Sequence, residues 1–190
     1  ALDFDGVLCH SAVETGISAW RAGQALWKEW RGEAPPREVI DRFVALRPAL
    51  ETGYQAVPLM KMAFDGLPPA TVFGRFDTLC HRIMEAVGVT REELVECFGA
   101  ARDSCMVEDR NGWLARHEFF PGTLETVRRA ISRGALVYIL TTKEKRFVLS
   151  LLEGNGLSFP KERVFGLETG RPKEETLEVL TDTEVEGPEA

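Results

Sequence analysis

The sequence is short of the features that would place it outside the ordinary soluble globular class. No apolar run approaches the roughly 20 residues that a membrane helix needs, so no membrane insertion is expected. There is no excess of positive charge: 23 Lys and Arg stand against 30 Asp and Glu, a formal net charge of −7. That balance leaves no electrostatic footprint for nucleic acid and no pull toward an anionic membrane surface. It does not exclude a phosphorylated substrate, because a local site can be positive within an acidic whole. Cysteine is scarce. Cys9, Cys80, Cys97 and Cys105 make no C-x-x-C pair and no zinc spacing. Free thiols in a soluble protein of a reducing compartment are expected. Internal repeats, low-complexity tracts and a leader-like segment are also missing. The chain opens directly on a motif, without an initiator Met, so further sequence is expected upstream.

What is present is enough for a real core: 44% of the 190 residues are hydrophobic. From about residue 12 to 118 the pattern is helical. Ile17, Trp20, Trp27 and Trp30 fall near helical spacing, and so do Ile40, Phe43 and Val44. Pro35-Pro36, Pro48 and Gly66-Leu67-Pro68-Pro69 are breaks. Thr90-Arg91-Glu92-Glu93 is a capping-box pattern before Leu94 and Phe98. Trp20, Trp27 and Trp30 read as the core of this stretch, or as a surface for a protein partner.

Beyond Phe119 the character changes. A helix carrying Leu124, Val127 and Ile131 is expected to stop at Gly134. The run Ala135 to Leu140, apolar without alternation, predicts a strand buried on both faces. A helix with Phe147, Val148, Leu151 and Leu152 follows, then a strand over Arg163 to Leu167 and a helix over Glu174 to Leu180. With Ala1 to Phe4 as a first strand, this βαβ order predicts an α/β fold with a Rossmann-like parallel sheet. Residues 1–11 and 119–190 would form its core, incomplete at the C-terminus, and residues 12–118 an inserted all-helical domain. Ligands of such sheets bind beyond the carboxyl ends of the strands. Asp3 and Asp5, Thr141 and Thr142, and the segment after Leu167 would meet there.

In Asp3-Phe4-Asp5-Gly6 the two carboxylates lie on one side of an extended chain. Held close, they resist joint ionisation unless a cation is beside them. Mg²⁺ suits such a pair next to phosphate. One carboxylate can attack phosphorus and the other can protonate the leaving oxygen. Two solvated aspartates before a glycine are the plain alternative. A calcium loop is a further one, disfavoured because Glu14 has no ligand series before it. Thr141 and Thr142 offer hydroxyl and N–H donors to a phosphate, or simply cap the next helix. Lys173 can neutralise phosphate, or be an ordinary surface lysine. Arg47 and Glu51 are spaced as an i,i+4 pair. With Tyr54 they are also candidates for a substrate-reading loop.

Taken in order, Asp3-Phe4-Asp5-Gly6-Val7-Leu8, Leu140-Thr141-Thr142-Lys143 and Gly170-Arg171-Pro172-Lys173 resemble the haloacid dehalogenase superfamily, in its phosphatase branch. Phe120-Pro121-Gly122 adds to the likeness. The resemblance implies a Mg²⁺-dependent hydrolase of small phosphorylated metabolites, with a phosphomutase as a variant. Asp3 would be the nucleophile and a metal ligand. Asp5 would be the general acid/base and lend its carbonyl to the metal. Thr141 would hold the transferring phosphoryl group, with Thr142 and Gly6 as phosphate donors. Lys173 would steady Asp3 and the phosphate, and Arg171 competes for that place. Asp5 favours phosphoryl transfer over carbon–halogen cleavage. The helical stretch would be the cap. The likeness extends to plant, algal and cyanobacterial members with long caps, which makes the cytoplasm or a plastid the expected address. A fourth acidic segment, after a further strand, would complete the metal site and is not in these 190 residues. Val107-Glu108-Asp109-Arg110 reads as a surface decoy for it. The chain is expected to continue, or else to be a non-catalytic member serving as an interaction subunit.

Overall fold

The computed structural model describes residues 1–185. In chain order the elements are β1 (Cys9–His10), α1 (Ala12–Gly23), α2 (Arg37–Leu46), α3 (Ala56–Phe64), α4 (Pro69–Val87), α5 (Arg91–Ala115), β2 (Glu118–Phe119), α6 (Thr123–Ser132), β3 (Ile139–Leu140), α7 (Lys145–Gly154), β4 (Val164–Phe165) and α8 (Lys173–Val185), with short 3₁₀ turns between some of them. The chain divides into two compact units. One holds Ala1–His10 and the chain from Glu118 on, and the other holds Ser11–His117.

Helix boundaries follow local chemistry. α2 starts directly after Pro35-Pro36 and ends before Pro48. α5 opens on the Thr90 capping box: Glu93 N–H donates to Thr90 Oγ1 (3.2 Å) and Thr90 N–H to Glu93 Oε2 (2.8 Å). α6 closes at Gly134, whose N–H reaches Ile131 O, while Ala135 N–H reaches Ala130 O. Among the described residues no helix is long and apolar enough to cross a membrane.

The expected parallel-sheet core is not there. Among the described residues the fold is mostly helical, with two sheets of two strands each: β1 pairs antiparallel with β2, and β3 pairs parallel with β4. The run from Ala135 shows why. Ile139 and Leu140 pair with Val164 and Phe165, and Leu2 adds one parallel bridge at Ile139. Among the described residues no strand pairs with Ala135 to Val137, and Leu136 is 51% exposed. An apolar run becomes a strand only where neighbours supply N–H and C=O partners over its length. The segment Arg163 to Leu167 is cut down in the same way, because 3₁₀ turns flank Val164-Phe165 on both sides.

The helical unit has its own core. α1 packs on α2, α3 and α5, and Phe43, Leu59, Met60, Met62 and Leu94 are fully enclosed. Trp20 and Trp30 stack at 4.3 Å, and Trp27 lies against Trp30 at 4.5 Å. All three are buried and belong to this core, the first of the two readings given for them. Beneath α1 sits a charged node. The Glu14 carboxylate, 1% exposed, accepts from Arg102 Nε and Nη2 (both 2.9 Å), Ser18 Oγ (2.7 Å) and Trp113 Nε1 (3.1 Å). The bidentate guanidinium and two further donors satisfy a carboxylate that burial would otherwise penalise heavily.

Candidate active site

Leu2 fixes the start of the site. Its N–H donates to Tyr138 O (2.8 Å), and its carbonyl accepts from Leu140 N–H (2.9 Å). Phe4 is fully buried, edge-on to Phe119 at 5.8 Å. Its carbonyl accepts from Leu8 N–H (2.9 Å) and Cys9 N–H (3.1 Å), so the chain turns tightly after Asp5. Gly6 serves this turn. Its φ is 82°, a region other residues avoid, and its N–H donates to Cys9 O at 2.9 Å. The N–H expected as a phosphate donor is engaged within the turn.

Two lysines distant in sequence meet the two aspartates. Lys173, the first residue of α8, brings Nζ to 2.7 Å from Asp3 Oδ2, with both side chains 38% exposed. Arg171, its competitor for that place, is exposed. Lys143 brings Nζ to 3.4 Å from Asp5 Oδ1, and its side chain is only 2% exposed. Asp3 Oδ1 accepts from Phe4 N–H at 2.7 Å.

Thr141 continues the parallel pairing by one residue, donating its N–H to Phe165 O at 2.9 Å. Its hydroxyl oxygen accepts from Lys143 N–H (3.1 Å), the plain backbone role weighed for it, and its O–H remains a donor. Thr142 is half-buried beside it. The segment after β3 is then tied to the one after β4. Leu167 N–H donates to Lys143 O (3.1 Å), and Lys145 N–H to Glu168 Oε2 (3.1 Å). Gly166 makes that approach possible, since a Cβ there would stand 2.6 Å from Lys145 N and 2.7 Å from Lys143 O.

Lys143 is the residue that sequence reasoning missed. Lysines are ordinarily exposed, and nothing in the residue itself marks it for burial. The available signal was its place directly behind Thr141-Thr142, in the turn between a buried strand end and a helix.

Arg47, Glu51 and Tyr54 belong to the helical unit. α2 stops at Leu46, and residues 47–55 form two 3₁₀ turns, so no continuous helix underlies an i,i+4 spacing. Arg47 Nη1 donates to Leu50 O (3.2 Å), Glu51 N–H donates to Gln55 Oε1 (3.1 Å), and the Tyr54 ring lies 5.1 Å from the Arg91 guanidinium. The Val107 to Arg110 segment is on the surface of α5. Val107 is 87% exposed, and Glu108 pairs with Arg21 at 2.6 Å, which holds its carboxyl below the usual range. Asp109 breaks the helix (φ −153°), and its carboxylate recaps it by accepting Gly112 N–H at 2.8 Å. A cavity of about 1080 Å³ lies within the helical unit, and no residue of the aspartate–lysine cluster lines it.

A metal can be tested against this donor set. Among the described residues no group of three or more His, Cys, Asp or Glu stands together so as to hold an ion. Within the aspartate–lysine cluster the carboxylates are those of Asp3 and Asp5, which offer hard oxygen ligands. That fits Mg²⁺, which is commonly held by one or two carboxylates with water and substrate phosphate completing its shell. It does not fit Ca²⁺ or Zn²⁺ in an all-protein cage. Compared with protein-family models, with curated proteins and with solved structures, the chain finds no match.

Proposed function

We propose that this chain carries the phosphoryl-transfer site of a haloacid dehalogenase-type hydrolase acting on a small phosphorylated metabolite. The observation that supports it best is the double pairing of Asp3 with Lys173 and of Asp5 with Lys143. Two carboxylates two residues apart are each matched by a lysine from far along the chain, with the Thr141 hydroxyl on the segment between.

In this reading an Asp3 carboxylate oxygen attacks phosphorus while the ester P–O bond breaks. The departing oxygen takes a proton from the Asp5 carboxyl. An acyl phosphate on Asp3 results. Asp5, now a carboxylate, takes a proton from water, whose oxygen attacks the same phosphorus. The P–O bond to Asp3 breaks, and inorganic phosphate leaves. Lys173 balances charge on Asp3 and on the phosphoryl oxygens, and Thr141 O–H donates to one of those oxygens. Bound Mg²⁺, held by Asp3 and Asp5, would neutralise charge on the phosphoryl group.

The test is phosphate release from 4-nitrophenyl phosphate and from a panel of sugar phosphates and phosphoglycolate, with Mg²⁺ present. Asp3→Asn should reduce turnover to background, and Asp5→Asn should reduce it by about 10²–10⁴-fold. An Asp3→Asn protein with full turnover would sink the assignment. A wild-type protein that hydrolyses nothing in the panel would favour the non-catalytic, interaction-subunit reading.

A further inference from the structure

The helical unit contains a cavity of about 1080 Å³, just above the usual range for small-molecule sites. It is a trough between one stripe of α1 (Val13, Ile17, Trp20, Gln24) and one stripe of α5 (Cys97, Ala100, Ala101, Ser104), closed on a third side by residues 32–41. The two helices run in opposite directions. Trp113 Nε1 reaches Glu14 in the first turn of α1, and Cys97 Sγ reaches Ala22 O in its last. The wall from Val13 to Gln24 is therefore roughly 16 Å long.

Nearly every polar side chain around the trough is engaged by the protein itself. Trp20 Nε1 and Gln24 Nε2 both donate to Glu33 O (2.8 and 2.9 Å). Arg21 is paired with Glu108, and Arg37 with Asp41. Ser104 Oγ donates to Ala100 O, and Cys97 Sγ to Ala22 O. Among the described residues the side chain of Arg116 has no hydrogen bond and no ion pair, although it is half-buried in the wall. It follows Trp113 by three residues and so stands at the Val13 end. The Glu33 carboxylate belongs to the opposite end, beside Gln24. An occupant thus meets apolar walls, satisfied polar groups, an unmatched guanidinium at the Val13 end and the Glu33 carboxylate at the other.

From this we infer that the trough is a binding site for an apolar molecule bearing a single anionic group, with the anion on Arg116 and the chain running along α1 toward Gln24. A guanidinium binds a carboxylate with two parallel charge-assisted hydrogen bonds, which an alcohol cannot reproduce. The site is independent of the phosphoryl-transfer reading, since none of its residues belongs to the aspartate–lysine cluster.

Cys97 gives a located readout. It is the only cysteine that is not buried, so its alkylation, followed by mass spectrometry, reports cover over the trough. The probes are decanoate, 1-decanol and decylamine, with affinity measured by calorimetry on the whole chain. Decanoate should bind and slow alkylation of Cys97, and decylamine should do neither. Arg116→Gln should weaken decanoate by at least about tenfold. Ala100→Leu, at an exposed position of α5, should narrow the trough and weaken both effects. The inference is overturned if decanoate leaves Cys97 unprotected, if 1-decanol or decylamine protects as well as decanoate, or if Arg116→Gln binds unchanged.

Discussion

Lys143 and Lys173 meet their aspartates under opposite conditions, and substitution should separate them. Lys173 and Asp3 are each 38% exposed, so solvent screens their attraction. Lys173→Met should change stability by no more than about 1 kcal/mol, read by urea denaturation, while phosphate release falls. Glu14 marks the other extreme. Arg102→Met leaves a carboxylate that is 1% exposed without its bidentate partner. The expected cost is about 3–5 kcal/mol, and Glu14→Gln combined with Arg102→Met should recover part of it. A double variant no more stable than Arg102→Met alone would refute the charge argument. Burial also pushes the Cys80 thiol up to about 12, so it should resist alkylation at pH 8 in the folded protein. At this scale the sequence was half legible. Asp3 and Asp5 could be singled out as candidates because their spacing is itself the signal. Lys143 and Arg102 could not, because a buried cation looks in sequence like any surface lysine or arginine.

Elements were legible where their signals are local. The Thr90 capping box, the proline breaks around α2 and the Gly134 stop each depend on residues within one turn. Thr90→Ala should cost about 1 kcal/mol, measured by thermal or urea unfolding. The Thr90 backbone N–H, and then its hydroxyl, hold the Glu93 carboxyl below its ordinary value. The sign follows from that direction. A carboxylate whose folded value is depressed adds stability above its unfolded value and loses it as pH falls through the lowered one. Wild type and Glu93→Gln should therefore differ at neutral pH and converge in acid. Strands failed because their signals are not local. Ala135 to Leu140 has the composition of a buried strand, yet only the residues with neighbours on both sides became one. The predicted length was a property of the run; the observed length is a property of what lies beside it.

At the scale of the molecule, the helical unit should stand or fall on its own core. Trp30 is fully enclosed, against Trp20, Trp27 and Phe64. Trp30→Ala should cost about 3–5 kcal/mol, seen as loss of far-ultraviolet helix signal at lower urea. That the helices of residues 12–118 would share a core was readable from aromatic spacing. That the flanking segments would carry strands only two residues long was not, because sheet extent depends on pairings between distant segments.

The β1–β2 pair carries a consequence for the path of the chain. Cys9 faces Phe119 and His10 faces Glu118, so the points where the backbone leaves for the helical unit and comes back are adjacent. Topologically, residues 11–117 are the loop of a hairpin, enlarged to the size of a unit with its own core. Closing a flexible loop of that length in place of a four-residue one would cost roughly 3 kcal/mol. A folded insert whose own ends lie close together removes most of that penalty. Grafting a short Asn-Gly turn between His10 and Glu118 would test it by yielding a chain in which β1 and β2 pair as an ordinary hairpin. Conversely, joining Ser11 to His117 through a short linker and opening the chain between α3 and α4, at residues 66–68, would give a circularly permuted helical unit.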